Sequence, residues 1–303
     1  MAATLTRPRP RRSRLVWRNT VAGWSFILPN FLGFALLTLV PVGALFYLAF
    51  TNWNVFGVAE WTGTANFRRM WGDASFWTAL RNTLYYAVLH IPLTMAGALG
   101  LALLLNRRLR GVGFFRTAAF FPYITSIVAI AVVWNQLFSP EYGPVNALLR
   151  TLGVDHPPGW TTSADWSMPA VVIVGTWREI GYYMLLFLAG LQTIPAQLHE
   201  AARIDGANAW QRFRYVTVPG LRPTTFFVVV MLTIGSFKVF DLILVMTDGG
   251  PGQSTLVLSQ YIYQKGFVEN QFGYASAVSI VLFAICFGVT VIQFWINNRG
   301  ENR

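Results

Sequence analysis

The stretch Thr193–Pro219, TIPAQLHEAARIDGANAWQRFRYVTVP, lies between two long apolar runs and is the most informative part of this sequence. Thr193 is a helix-capping residue type, and Pro195 suits a first helical turn because no amide partner is lost there. Gly206 is placed to end that helix in the left-handed conformation. A second short helix is expected from about Ala209 to Tyr215. The stretch therefore predicts two short helices joined at a glycine.

The expected surface of this elbow suits docking. Ala201 and Ala202 are small enough to let another backbone approach closely, and Phe213 offers an apolar anchor. Glu200 and Arg203 are three residues apart and are expected to pair on the helix surface. A short helical elbow with such a surface fits a groove on a partner protein. The alternative is an interfacial helix that rests on lipid headgroups, and the residues alone leave both interpretations open.

Six apolar segments flank this elbow along the chain, and each is near the ~20 residues that a helix needs to cross a bilayer. Their expected bounds are about 24–50, 82–105, 118–138, 168–191, 224–246 and 274–296. Of the 303 residues, 54% are hydrophobic and only 12% are charged, which is about half the charged share of a soluble domain. We therefore expect an all-α membrane protein with about six transmembrane helices rather than a soluble enzyme.

Arginines set the expected orientation of these segments. They concentrate in the N-terminal tail, the loop between the second and third segments, the elbow region 193–223 and the C-terminal end. Short basic loops stay in the cytoplasm, so both termini and residues 193–223 are predicted to be cytoplasmic. The net charge of +11 thus indicates membrane topology rather than nucleic-acid binding. We expect a disordered basic tail over 1–20, a transmembrane domain over 21–297 and a short tail over 298–303.

The sequence predicts no catalytic, metal-binding or cofactor-binding residue. A nucleotide site would need the G-x-x-x-x-G-K-[ST] loop, but the two lysines, Lys238 and Lys265, are followed by Val239 and Gly266. A single cysteine, Cys286, excludes an internal disulfide framework, and the three histidines are scattered. We therefore expect a chain that is not an enzyme. If ATP drives its function, another chain must hydrolyse the ATP.

Several segments resemble one family of membrane proteins. Residues 193–223 closely match the EAA loop of bacterial ABC importer permeases at Glu200, Ala201, Ala202, Asp205, Gly206, Ala207, Phe213, Pro219 and Pro223. Residues 116–123 (RTAAFFPY), 240–243 (FDLI) and 247–251 (TDGGP) resemble the MalF/UgpA-type sugar permeases. The chain departs from that pattern at Asp248, where the family more often has glycine, and at Val218, where leucine is usual.

The resemblance implies a type I ABC importer permease fold in the cell membrane of a bacterium. It implies a MalG-like second permease, two cytoplasmic ATPases that bind ATP-Mg, an extracytoplasmic solute-binding protein and a sugar substrate. The residues that would couple this chain to the ATPases are Glu200, Ala201, Ala202, Asp205, Gly206, Ala207, Phe213 and Pro219. ATP binding would draw the elbows together and tilt the spans from inward- to outward-facing.

Polar and aromatic residues within the spans are candidates for the substrate path, because a charged side chain there should face a partner or water rather than lipid. Aromatic faces stack on the C–H surface of a sugar, and amide and charged groups hydrogen-bond its hydroxyls. The candidates are Trp134, Asn135, Gln136, Trp177, Arg178, Glu179, Tyr182, Tyr183, Lys238 and Asp241. Salt bridges between spans, or contacts with the second permease, would use the same residues.

Two further interpretations stay open at this point. Arg178, Glu179, Lys238 and Asp241 also suit a proton- or sodium-coupled secondary carrier, which would transport by itself. Lys238 and Asp241 are three residues apart and are expected to share one helix face. Among importers, glycerol phosphate or a polyol is an alternative cargo. Only Arg178 and Lys238 offer cationic groups in the path, which favours a neutral sugar.

Overall fold

The computed structural model describes residues 14–54, 56–107 and 110–301. Over these residues the fold is nearly all helical, and its one β pairing is an isolated antiparallel bridge between Thr51 and Trp61. The all-α prediction is therefore confirmed. Residues 1–13 of the predicted tail lie outside the described residues, whereas residues 14–20 already belong to the first helix.

The helices follow one another with short connections. In chain order they are α1 (Arg14–Phe34), α2 (Val40–Leu48), α3 (Ala65–Trp71), α4 (Ala74–Leu105), α5 (Val112–Ile124), α6 (Ile127–Leu137), α7 (Pro144–Thr151), α8 (Ala164–Thr193), α9 (Ala196–Ile204), α10 (Ala209–Arg212), α11 (Val218–Gly220), α12 (Arg222–Phe237), α13 (Asp241–Met246), α14 (Leu258–Tyr263) and α15 (Phe272–Glu301). The π-helical segments are Ala35–Leu39, Phe213–Thr217 and Gln264–Val268. The first of them joins α1 to α2 without a break.

Four helices of the described chain are long and apolar enough to cross a bilayer. They span Asn19–Leu48, Ala74–Leu105, Ala164–Thr193 and Phe272–Arg299, each with 28 to 32 residues. At ~1.5 Å per residue such helices exceed the ~30 Å hydrocarbon core. Two bent pairs of helices bring the number of candidate spans to as many as six.

One bent pair replaces a segment that the sequence predicts as a simple span, and the other, Ala209–Gly220 with Arg222–Phe237, is bent by 67° where the elbow region meets α12. Predicted segment 118–138 is divided between α5 and α6, which are bent by 98°. The chain leaves the helix at Thr125, which is extended, and the Thr125 hydroxyl donates to the Phe121 carbonyl at 2.9 Å. That bond satisfies a carbonyl of the last turn.

The fifth predicted segment, 224–246, is also interrupted. α12 ends at Phe237, and the chain turns at Phe240 before α13 begins. Lys238 and Asp241 therefore lie on either side of a helix break. The prediction that they share one helix face is wrong, because a spacing of three residues has that meaning only inside a continuous helix.

The core lies where α4, α8 and α12 meet. α8 packs against α4 over much of its length. Gly175 lies beside Tyr86 and Gly97 beside Ile180, so the two helices run in the same direction. At Gly181 the backbone of α5 approaches so closely that a Cβ would overlap the Ala119 carbonyl. In lipid, where the hydrophobic effect does not drive helices together, small residues of this kind make close packing possible.

Because α4 and α8 are parallel, the loop that follows α4 and the loop that follows α8 lie at the same end of the molecule. Both loops are rich in arginine. Arg116 at this end donates to the Leu105 carbonyl at 2.8 Å, which ties α5 to the end of α4. The structure thus groups the basic loops on one side. Which side faces the cytoplasm stays a prediction from the arginine distribution.

At the opposite end, Asp73 joins three segments. Its carboxylate accepts a hydrogen bond from the Ser75 amide at 2.9 Å, which caps α4, and also accepts from the hydroxyls of Tyr261 and Tyr274. The Arg69 guanidinium lies over the Tyr274 ring, 4.3 Å from its centroid. Burial raises the pKa of the Asp73 carboxyl, but these hydrogen bonds outweigh burial and hold the pKa below its usual value.

Candidate functional site

Residues 193–223, the elbow loop, contain two short helices at the predicted places. After α9 the chain reverses at Gly206, whose φ of +77° is left-handed. The Ala207 amide donates to the Ala202 carbonyl at 2.9 Å and closes the helix end. The prediction of a left-handed glycine at Gly206 is confirmed, since other residues adopt this conformation only with strain.

Two local predictions for the elbow loop are wrong. Thr193 does not cap α9, because α8 continues through it and the Thr193 hydroxyl donates to the Gly190 carbonyl at 2.8 Å. Pro195 takes the cap position instead. Glu200 and Arg203 are both exposed on α9, and none of the ion pairs among the described residues joins them. Exposed side chains gain little from such a pair, so solvent competes with it.

The second half of the elbow loop is held by its own hydrogen bonds. Asn208 and Gln211 exchange side-chain-to-backbone bonds, each at 2.8 Å, and form a capping box at the start of α10. Arg212 donates to the Ala207 carbonyl at 2.6 Å and ties α10 to the glycine turn. Such bonds satisfy the free groups at helix ends, so the elbow keeps a defined shape without a partner.

The elbow loop leaves an apolar surface uncovered. Ile204 is 86% exposed and Trp210 is 68% exposed, and the Trp210 ring lies 5.6 Å from Phe213 between centroids. The predicted coupling residues divide into the exposed Glu200, Ala201, Asp205, Gly206 and Pro219 and the half-buried Ala202, Ala207 and Phe213. Ile204 and Trp210 were not among the predicted residues. The sequence feature that could have indicated them is a large apolar side chain in an otherwise polar stretch.

A polar and aromatic cluster surrounds the middle of α8. Arg178 and Glu179 form an ion pair at 3.7 Å, and His90 of α4 also lies 3.7 Å from the Glu179 carboxylate. Arg178 donates to the Tyr123 carbonyl at 3.4 Å, and its guanidinium lies 5.4 Å from the Tyr123 ring centroid. The Tyr123 ring stacks on Tyr182 at 4.4 Å. Side chains of α4, α5 and α8 thus meet at one charge-compensated site.

Two tryptophans extend this cluster toward α6. Trp134 and Trp177 contact edge to face with ring centroids 5.4 Å apart, and Trp177 remains 42% exposed. Asn135 donates to the Val245 carbonyl at 3.4 Å, while its Oδ1 is buried without a hydrogen-bond partner among the described residues. Gln136 is exposed. The set that we call the α8 cluster is His90, Tyr123, Trp134, Trp177, Arg178, Glu179 and Tyr182.

Two predicted path residues, Lys238 and Asp241, lie apart from the α8 cluster, and a third, Tyr183, lies at its edge. The Tyr183 ring contacts Tyr182 edge to face at 5.1 Å between centroids, and its side chain is otherwise buried in an apolar part of the core with Met184. Lys238 is exposed and lines a groove between α12, α14 and α15 that also contains Cys286. Asp241 is exposed at the start of α13. The break after α12 separates Lys238 and Asp241, so the sequence spacing does not bring them together.

Tyr123 and His90 belong to the α8 cluster, and Ser236 contacts it, although none of the three is among the path residues predicted from the sequence. His90 is buried, its Nδ1 lies 3.2 Å from the Ser236 hydroxyl, and its ring stacks on Tyr86 at 4.9 Å. The contact with Ser236 joins α4 to α12, which are far apart in the sequence, so no spacing rule within one helix can indicate it. The contact between Tyr86 and His90 is an i,i+4 pair within α4.

The chain belongs to the family of binding-protein-dependent transport system inner membrane components, whose sequence profile matches residues 91–301. It is therefore a multi-pass permease subunit of a bacterial ABC importer, as the EAA-loop resemblance implies. Membership of this family also favours an importer over the ion-coupled carrier that the intramembrane charges left open.

Relatives align along almost the whole chain. The lactose transport system permease protein LacF of Rhizobium radiobacter is 37% identical and covers 94% of this chain and 96% of its own. The sn-glycerol-3-phosphate transport system permease protein UgpA of Agrobacterium fabrum is 33% identical and covers 92% of this chain and 96% of its own. The alignments therefore include both the elbow loop and the α8 cluster.

Solved structures share the fold. A crystal structure of a bacterial ABC transporter that imports the acidic polysaccharide alginate contains a similar chain. The TM-score is 0.82 at 25% identity, over 95% of this chain and 99% of that chain. The same transporter in complex with an alginate pentasaccharide-bound periplasmic protein gives 0.83 at 24% identity, over 95% and 98%. The type I importer permease fold is confirmed.

Proposed function

We propose that this chain forms one half of the sugar path in an ATP-driven importer and receives the driving motion through the elbow loop. A second, MalG-like permease forms the other half of the path. Two cytoplasmic ATPases bind ATP-Mg, and a solute-binding protein delivers the sugar from outside. The carbohydrate cargoes named for LacF and for the alginate transporter support a sugar.

The α8 cluster is the observation that carries the sugar assignment. A path for a neutral, hydroxyl-rich solute needs flat apolar faces together with hydrogen-bonding groups, and any charge within it needs a partner. Trp177 is accessible, and next to it in the chain Arg178 and Glu179 neutralise one another. Sugar hydroxyls can accept from the guanidinium and donate to the carboxylate. The site therefore favours hydroxyl groups over net charge.

The same geometry argues against a phosphorylated cargo, which the similarity to UgpA keeps as the alternative. Arg178 already has Glu179 as its counter-ion, so a phosphate would have to displace a carboxylate of like charge. Lys238, the other cationic candidate, lines a separate groove. Among the described residues, no second arginine or lysine contacts Arg178 or Glu179.

The elbow loop supplies the coupling surface in this proposal. The sequence contains no G-x-x-x-x-G-K-[ST] loop, so in this proposal conformational energy reaches the chain by contact with a partner. Exposed Ile204 and Trp210 offer apolar area, and exposed Glu200 and Asp205 offer charge beside it. A partner with an apolar groove and a basic rim fits this surface.

Charge reversal at Glu200 tests the proposed function. The complete importer is reconstituted in vesicles, and ATP-driven sugar uptake is measured for Glu200→Lys and for the control Glu141→Lys, which alters an exposed residue at the other end of the molecule. We expect uptake to fall about tenfold or more in Glu200→Lys, since a like charge at an interface costs several kcal/mol.

The control variant should transport normally, and both variants should purify as folded chains. Normal uptake by Glu200→Lys would contradict coupling through the elbow loop. Uptake by this chain alone, driven by an ion gradient, would contradict the importer proposal as a whole.

A further inference from the structure

A groove opens between the end of the elbow loop and the last helix. It is bounded by α12 and by the final turns of α15 and has a volume of about 500 Å³. Phe226 and Ile296 contribute to its apolar wall, and the exposed Arg214 and Arg222 also line it. The rings of Phe226 and Phe294 contact edge to face at 4.8 Å and hold the two helices together beside the groove.

The groove carries charge of one sign. Within the described chain, no acidic residue lines it. Arg222 donates to the Asn297 carbonyl at 3.4 Å, which keeps its guanidinium near the end of α15. Gln293 also lines the groove, and its Nε2 donates to Thr233 at 2.7 Å while its Oε1 has no partner among the described residues. The groove therefore offers two guanidinium groups beside a largely apolar wall.

The position of the groove limits what can occupy it. α12 begins at Arg222, and the span of α15 ends at Arg299, so the groove lies at the end of the apolar zone on the side of the basic loops. Phe227, Met231 and Ile292 are large apolar residues beside it that remain exposed. A ligand at this depth meets hydrocarbon on one side and guanidinium groups on the other.

We propose that this groove binds an anionic phospholipid of the inner leaflet. Its phosphate lies between Arg214 and Arg222, and an acyl chain follows Phe226 and Ile296. Basic pockets between helices at the cytoplasmic face recognise anionic headgroups in this way. Because Arg214 belongs to the elbow loop, the bound lipid is in contact with that loop.

Lipid binding can be measured directly on the purified importer complex. Native mass spectrometry counts the lipids that remain bound after titration with dioleoyl phosphatidylglycerol or, at equal concentration, dioleoyl phosphatidylcholine. We expect the wild type to prefer phosphatidylglycerol, and we expect Arg214→Gln with Arg222→Gln to remove most of that preference. Each arginine near the surface contributes about fivefold to binding of an anionic lipid.

The matched control is Arg203→Gln with Arg110→Gln, which removes the same charge from exposed residues that do not line the groove. This pair should keep the wild-type preference. A second variant, Val229→Phe, fills the groove without changing charge and should also lower phosphatidylglycerol binding.

Three results would overturn the proposal. One is equal binding of the two lipids by the wild type, as expected if the second permease covers the groove. Another is an equal loss of preference in the test and control pairs, which would indicate a diffuse charge effect. The third is displacement of the lipid by millimolar inorganic phosphate, which would indicate a site for a free anion. None of these results bears on sugar uptake or on ATPase coupling.

Discussion

At the scale of single residues, two carboxylates of this chain have partners that include side chains of other helices. Glu179 has Arg178 beside it on α8 and His90 on α4, while Asp73 has tyrosine hydroxyls on α14 and α15. The first group lies inside the helical bundle, and the second lies at the end opposite the elbow loop. The first group is suited to meet a solute, whereas the second holds segments together.

Truncation of Trp177 tests the role of the first group. Trp177→Ala removes an accessible aromatic face, so the concentration of sugar at half-maximal uptake should rise about threefold to tenfold. Trp71→Ala is the control, since Trp71 is also exposed but ends α3, at the end of the molecule opposite the elbow loop. ATP hydrolysis without sugar should not change in either variant. An unchanged half-saturation in Trp177→Ala would remove this residue from the path.

Replacement of Asp73 tests the second group. Asp73→Asn weakens the bonds from two hydroxyls and should lower the free energy of unfolding by about 1–2 kcal/mol, because the carboxylate is partly exposed. Thermal unfolding of the purified chain in detergent gives the comparison, with Asp155→Asn at an exposed outer position as the control. Equal stability of the two variants would contradict the role given to Asp73.

The pH dependence of this effect has a definite sign. The pKa of Asp73 is lower in the folded chain than in the unfolded chain, whose carboxyl titrates near about 3.9. Its contribution is therefore complete above that pH and is lost as the pH falls through the folded pKa. The difference in melting temperature between wild type and Asp73→Asn should stay constant from neutral pH to about pH 5 and shrink below about pH 4. A difference that grows with acid would contradict this account.

The backbone conformation of the elbow loop could be predicted in part from the sequence, because local spacing determines where its helices end. Gly206 is an example, since a helix end that needs a left-handed residue leaves a short-range signal. The partners of Glu179 could not be predicted in this way. Contacts such as His90 with Ser236 depend on how α4, α8 and α12 pack, and that packing leaves no pattern within one segment.

At the scale of elements, close packing of α5 on α8 depends on one glycine. Gly181→Ala places a methyl group against the Ala119 carbonyl, so α5 must shift, at a cost of about 1–3 kcal/mol. Gly100→Ala is the matched control, because a Cβ at Gly100 of α4 meets nothing within 4 Å. Alanine there should leave stability equal or raise it by up to about 1 kcal/mol.

Thermal unfolding and ATP-driven uptake of the two glycine variants provide the measurement. We expect Gly181→Ala to lose stability and uptake together, since Arg178, Glu179 and Tyr182 lie on the adjoining turns of α8. Equal behaviour of Gly181→Ala and Gly100→Ala would show that α5 does not depend on this contact.

The long helices could be predicted from hydropathy, but their interruptions could not. A window of apolar residues looks the same whether it forms one helix or two at an angle, as α5 and α6 do. α5 ends at Thr125 because the backbone there is extended, whereas the bond from its hydroxyl to the Phe121 carbonyl is of a kind that Thr83 also makes inside α4. A threonine in an apolar run also occurs within unbroken helices, for example Thr94 in α4.

At the scale of the whole molecule, the elbow loop and the α8 cluster are parts of one connected structure. α8 carries the cluster in its middle turns and leads directly into α9 at its end. A displacement of the elbow by a partner therefore acts on the helix that lines the proposed path. Coupling of this kind needs two discrete arrangements of packed helices. The partner subunits expected for this family would stabilise one arrangement over the other.

The most direct test of this account is site-specific photo-crosslinking from the elbow loop in intact cells. A photoreactive amino acid replaces Ala201, which is exposed on α9, and in a control it replaces Ala147, which is exposed on α7 at the other end of the molecule. We predict that Ala201, and not Ala147, yields a crosslinked product that contains an ATP-hydrolysing subunit. A product that joins Ala201 to an extracytoplasmic protein, or no product with any nucleotide-hydrolysing chain, would contradict the account.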